Sequence, residues 1–136
     1  MIVALVEHGP GKCSICSTRH LLACAVLVAG CTTQRLYEGA ALPAGEAAIV
    51  RADPAVNAGL PVQVRLRRVD GREVGVSASS VELPPGPHEL LVDCHVAASG
   101  SMRRFTVAAD LAPGRRYRLV AETTARNCEA VHLADD

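Results

Sequence analysis

Along most of the chain, apolar and polar residues exchange places with the two-residue period of a strand. In "PVQVRLRRVDG", Val62, Val64 and Leu66 alternate with Gln63, Arg65 and Arg67, the mark of a half-buried strand. Further on, Leu90, Val92, Cys94 and Val96 form one stripe against Glu89, Asp93 and His95. Phe105, Val107, Ala109 and Leu111 repeat the pattern. Residues Ala47 to Arg51 read as the first strand, followed by a loop from Asp53-Pro54 to Asn57-Ala58-Gly59. Asp70-Gly71 supplies the left-handed positions of a tight hairpin turn. Two segments look alike, "LPPGPHELLV" from Leu83 and "LAPGRRYRLV" from Leu111. Each holds Pro-Gly, which suits a type II turn, and a strand leaves each turn. One turn chemistry used twice explains the likeness better than duplication. No window sustains a helical period. The expectation is therefore all-β, a small antiparallel β-sandwich of about 6–8 short strands over residues 46–136.

A different pattern precedes this domain. Leu21 to Gly30 carries no charge and follows Arg19, His20 and, further back, Lys12. A membrane-spanning helix needs roughly 20 apolar residues, so this run is too short to span. A basic flank, a short apolar centre and small residues at the end are the parts of a secretory signal. Residues 1–30 are thus expected to form a helical signal peptide. Glu7 and the Gly9-Pro10-Gly11 turn make its lead unusually long, and a translation start further down the chain would account for that.

The end of the run, Val28-Ala29-Gly30-Cys31, resembles the lipobox of bacterial lipoproteins. The resemblance implies a helical lipoprotein signal peptide, cut before Cys31, whose thiol is joined to diacylglycerol and whose amine is then acylated. Small side chains at Ala29 and Gly30 let the backbone extend into a protease cleft, and only a thiol forms the thioether. Several acyl chains at roughly 0.8 kcal/mol per methylene hold a protein in the membrane where one chain is marginal. Thr32 stands where an Asp would favour the inner membrane, so the expected location is the outer membrane, facing the periplasm. Residues 31–45 are then a lipidated cysteine and a polar, small-residue tether that holds the fold off the membrane.

Cleavage would remove Cys13, Cys16 and Cys24 and consume Cys31 in the anchor, leaving Cys94 and Cys128. Two cysteines in an oxidising compartment are the number one disulfide needs. The alternative use of Cys94 is a metal site with Asp93 and His95, helped by His88 or His132. On a strand, however, Asp93 and His95 share one face while Cys94 points to the other. "CSIC" has the spacing of redox and zinc sites but lacks a second pair, and it falls within the signal.

The stretch from Val64 to Val92 resembles the PEGA-type β modules of bacterial surface proteins. These have a strand, a V-D-G turn, a Pro-Gly turn and an H-x-L-x-V strand, here His88 to Val92. "YEGAALPAGEAAIV", Tyr37 to Val50, is similar to the opening of small proteobacterial lipoproteins. Both imply a small antiparallel sandwich, and neither brings a catalytic residue.

Composition adds little to this. Fourteen basic residues balance fourteen acidic ones, so charge offers no case for a nucleic-acid partner. The core is poor in aromatics, with two Tyr and one Phe. Ser77, Ser79 and Ser80 with the histidines offer a nominal nucleophile and base, but there is no G-x-S-x-G elbow. The expected function is a non-enzymatic, membrane-anchored envelope lipoprotein, a structural or interaction module with no cofactor and with other envelope proteins as partners. The alternative is a periplasmic ligand- or metal-binding module using His88, Asp93 and His95. Arg67-Arg68, Arg103-Arg104 and Arg115-Arg116-Arg118 read as solvated strand faces. On one common surface they would instead suit an acidic protein, a glycan or a lipid headgroup.

Overall fold

The computed structural model describes residues 32–53 and 61–136. The expected signal peptide, the lipobox residues Val28, Ala29 and Gly30, the lipidation residue Cys31 and the loop through Asn57 lie outside the described residues. Nine strands run in chain order: β1 (Thr32–Arg35), β2 (Ala48–Arg51), β3 (Val62–Val69), β4 (Arg72–Glu73), β5 (Ala78–Leu83), β6 (Gly86–Val96), β7 (Ser101–Leu111), β8 (Arg116–Thr123) and β9 (Cys128–Asp135). They form a five-stranded sheet, β1-β5-β2-β8-β9, and a four-stranded sheet, β4-β3-β6-β7. Together the two sheets enclose one core in the manner of a sandwich.

The domain is all-β, as the alternation predicts, but it is not wholly antiparallel. β1 pairs parallel with β5, and β2 pairs parallel with β8. Parallel neighbours need long connections, and here the chain supplies them by passing through the other sheet before returning. Eight of the nine strands lie within 46–136, inside the expected range, and β1 joins them from the preceding segment. Strands β1 and β4 are the two that the pattern does not mark. Neither shows alternation: Thr32–Arg35 is polar throughout, and Arg72–Glu73 has two residues. Part of the segment read as a tether is structured. Thr32–Arg35 belongs to the sheet, Leu36 packs on the core, and Tyr37 Oη donates to Glu82 while accepting from the Leu42 amide at 3.0 Å.

The core stripes fall where the pattern places them. Leu90, Val92 and Cys94 are fully buried on β6, opposed by Val50, Val81 and Leu83 from the other sheet. Strand β3 departs from simple alternation at Arg67-Arg68. Leu66 pairs with Val92 and Val69 with Leu90, but two residues separate Leu66 from Val69 while only Leu91 separates Val92 from Leu90. This is a β-bulge, one extra residue in one strand. It reconciles "VRLRRV" with the fold: Val64, Leu66 and Val69 all stay buried, while both arginines are exposed.

The turns also follow their chemistry, with one correction. Asp70 and Gly71 both have positive φ, 48° and 80°, and close the β3–β4 hairpin as expected. At Pro113-Gly114, Gly114 has φ 68° and the Arg115 amide bonds the Ala112 carbonyl at 3.4 Å, a type II turn. At Pro85-Gly86, by contrast, the chain only bends and β6 begins at Gly86 itself. Both segments carry the chain from one sheet to the other, and the Pro84–Gly86 passage does so through a bend with Gly86 at φ 118°.

Candidate functional site

The outward face of β3-β6-β7 carries most of the concentrated charge. Cross-strand register sets Arg65, Asp93 and Arg104 in one row, and in an antiparallel sheet such residues project to the same side. The bulge adds Arg67 and Arg68 beside that row. Asp93 is 5% exposed although it lies on this outer face, because the arginines cover it. Arg104 grips it with both arms, Nε to Oδ1 at 2.7 Å and Nη2 to Oδ2 at 3.1 Å, the fork geometry that makes guanidinium–carboxylate pairs strong. Arg67 Nε lies 3.5 Å from Oδ2, and Arg68 pairs with Glu73 at 3.1 Å. Arg104 and Arg67 thus share one carboxylate, Asp93, and Arg68 meets Glu73, while Glu89 and Asp110 lie further along the same face. Beside them runs a groove of about 170 Å³ lined by Arg67, Arg68 and Arg104, by Glu73, and by apolar Val74, Val76 and Leu91. Val76 is 67% exposed.

The hydrogen bonds from Arg104 hold the Asp93 carboxyl below its ordinary value of 3.8. Burial opposes this, and the charges of Arg104, Arg67 and Arg65 reinforce it. A carboxyl with a lowered folded-state pKa adds stability above its unfolded pKa and loses it as pH falls through the folded value. Melting temperature measured against pH is expected to drop for the wild type on acidification below 3.8. Asp93→Asn should show a shallower drop there and a lower plateau at neutral pH. Parallel curves for the two proteins would contradict this account.

The remaining predicted residues scatter. Cys94 and Cys128 form the expected disulfide, with Cα atoms 6.2 Å apart. His88 shares the inward parity of Leu90 and Cys94, while Asp93 and His95 point outward, so these three do not converge. His88 is moreover engaged at both ring nitrogens, Nδ1 with Asp70 Oδ2 at 2.6 Å and Nε2 with the Pro84 carbonyl at 2.7 Å. No group of three or more metal-ligating side chains occurs among the described residues. Ser80 shares a 2.7 Å hydrogen bond with Thr33, and the Ser77 and Ser79 carbonyls accept from Thr32 Oγ1 and the Ala52 amide.

The arginine groups are redistributed by the fold. Arg103 leaves Arg104, donating to the Cys128 carbonyl at 2.8 Å and lying over the Phe105 ring. Arg115, Arg116 and Arg118 belong to the other sheet or its approach, where Arg115 pairs with Asp135. Arg65, which the sequence offers only as the polar half of an alternation, joins Arg67, Arg68 and Arg104. Its signal was the register with Asp93, which is a property of pairing and not of local sequence.

The chain matches no protein-family model, no curated protein and no solved structure.

Proposed function

We propose that this protein is a non-enzymatic, lipid-anchored module of a bacterial envelope, held to the outer membrane by acyl chains on Cys31 and facing the periplasm. The Cys94–Cys128 disulfide carries the reading. It joins the two cysteines that remain once the lipobox segment is set aside, and such a bond persists in exported proteins and is rare in reducing compartments. The domain's PEGA-like alternation fits a scaffold that presents a surface, and the surface with the densest charge is the arginine face of β3-β6-β7. The alternative of a ligand or metal site built from His88, Asp93 and His95 loses its support when His88 turns to the opposite side of β6.

Growth of the native host with labelled palmitate tests the anchor. Wild-type protein should carry the label and fractionate with outer membranes, and Cys31→Ser should be unlabelled. An unlabelled wild type would overturn the proposal.

A further inference from the structure

The placement of β1 brings Thr32 to the connection that borders the arginine face. Thr32, covalently next to Cys31, donates from Oγ1 to the Ser77 carbonyl at 3.1 Å. Gln34 then holds the following stretch of the same connection, accepting from the Gly75 amide at 2.7 Å. Between Gly75 and Ser77 stands Val76, the most exposed large apolar residue among those described. Val76 in turn borders the groove lined by Arg67, Arg68 and Arg104. Thr32, the exposed valine and the guanidinium groups therefore follow one another across one edge of the domain.

We infer that this edge is a membrane-docking surface, on which Arg65, Arg67, Arg68 and Arg104 bind the phosphates of anionic lipid headgroups while Val76 enters the interfacial layer. The inference rests on the lipid anchor proposed above. Charge complementarity favours it over other occupants. Arg51, Arg72 and Arg115 each face a carboxylate of their own, Asp136, Glu38 and Asp135. At the docking edge, by contrast, Arg104 and Arg67 share the single carboxylate of Asp93. Anionic phosphates attract basic side chains held close to a membrane, and a guanidinium fork matches phosphate oxygens.

The bulge bears on the same point. Removal of one arginine from Arg67-Arg68 would leave one residue opposite Leu91, so Leu66–Val92 and Val69–Leu90 would pair in an unbroken ladder. The core therefore does not require the second arginine. Its effect is to place one more positive charge on this face.

The test uses the acylated protein purified from membranes, with Cys31 lipidation checked by mass, reconstituted into two kinds of vesicle. One is phosphatidylcholine alone and the other also contains phosphatidylglycerol. Arginines are modified with phenylglyoxal and mapped by mass spectrometry. Arg67, Arg68 and Arg104 should react about fivefold more slowly on the anionic vesicles, in keeping with the attraction of one basic side chain to such a surface. High salt should remove the difference. Arg115 and Arg116, at the far end of β8's sheet from Thr32, should react equally on both. Deleting Arg67 should leave the melting temperature near that of the wild type and reduce the protection of Arg104. Equal modification on both vesicles would overturn the docking surface with the anchor intact. Protection by inorganic phosphate without any effect of anionic vesicles would overturn it in favour of a soluble anion. Absence of lipid on Cys31 would overturn the anchor first, and the docking surface with it.

Discussion

Replacing both Cys94 and Cys128 with alanine is expected to lower the stability of the domain by about 4 kcal/mol, from the entropy of closing a loop of this length. The bond spans 34 positions. It joins the centre of one sheet, β6, to the first residue of β9, an edge strand of the other. Both cysteines are buried, at 0% and 1% exposure, so truncation also leaves a small void. For a domain of this size a loss of that order corresponds to a fall of roughly 20 °C in melting temperature. The effect should be visible by circular dichroism and should be matched by reducing the wild type. Its consequence is local as well as global. Without the bond, β9 is held by its pairing with β8 and by contacts such as Arg103 Nη1 with the Cys128 carbonyl. Hydrogen exchange in β9 should therefore accelerate more than in β3 or β6. A double variant that melts within a few degrees of the wild type would show that the loop is already constrained by other means.

What the sequence discloses about this fold depends on whether a feature is local. The stripes on β3, β6 and β7 are legible because a strand with one buried face must alternate, and Asp70-Gly71 and Pro113-Gly114 are legible because positive φ selects few residues. β1 has neither signal. Thr32–Arg35 is polar on both faces, and it is a strand because β5 offers an unpaired edge and Thr33 meets Ser80 there. The parallel pairings are hidden for the same reason. The bulge is half legible: "LRRV" breaks the alternation visibly, but only the register of β6 shows which residue is extra. The candidate site is the least legible part. Asp93 reads as an exposed strand residue, and its burial comes from Arg104 on a later strand and Arg67 on an earlier one. His88 illustrates the reverse. Its chemistry invites a ligand role, yet its parity on β6 turns it inward toward Asp70 and Pro84.

Gly114→Ala is expected to destabilise the domain by about 3 kcal/mol, more than its place in a surface turn would suggest. Two costs combine. Gly114 has φ 68°, where a residue with a Cβ loses about 1–2 kcal/mol relative to glycine. A Cβ there would also lie 2.5 Å from the Gly45 carbonyl oxygen and 3.0 Å from its carbon. Both neighbours are backbone and cannot rotate away, so relief requires moving a chain segment, a further cost of about 1–3 kcal/mol. Gly45 itself sits in a turn closed by the Glu46 amide on the Pro43 carbonyl at 3.0 Å, with φ 93°. The close approach thus joins two glycine turns, one before β2 and one between β7 and β8. Gly71→Ala supplies the control, because it has φ 80° and nothing within 4 Å of the added Cβ. It carries the conformational cost alone, about 1 kcal/mol. Denaturant unfolding should give both variants the wild-type slope, with the midpoint of Gly114→Ala displaced two to three times as far, about the ratio of the two costs. Equal displacements would mean that the turns do not touch and that the segment from Gly39 to Glu46 is held by Tyr37 and Leu36 instead. The distinction matters for the proposed docking edge. If the Gly45–Gly114 contact fixes that segment at the end of the domain remote from Thr32, its loss should leave the protection of Arg67 and Arg104 on anionic vesicles unchanged.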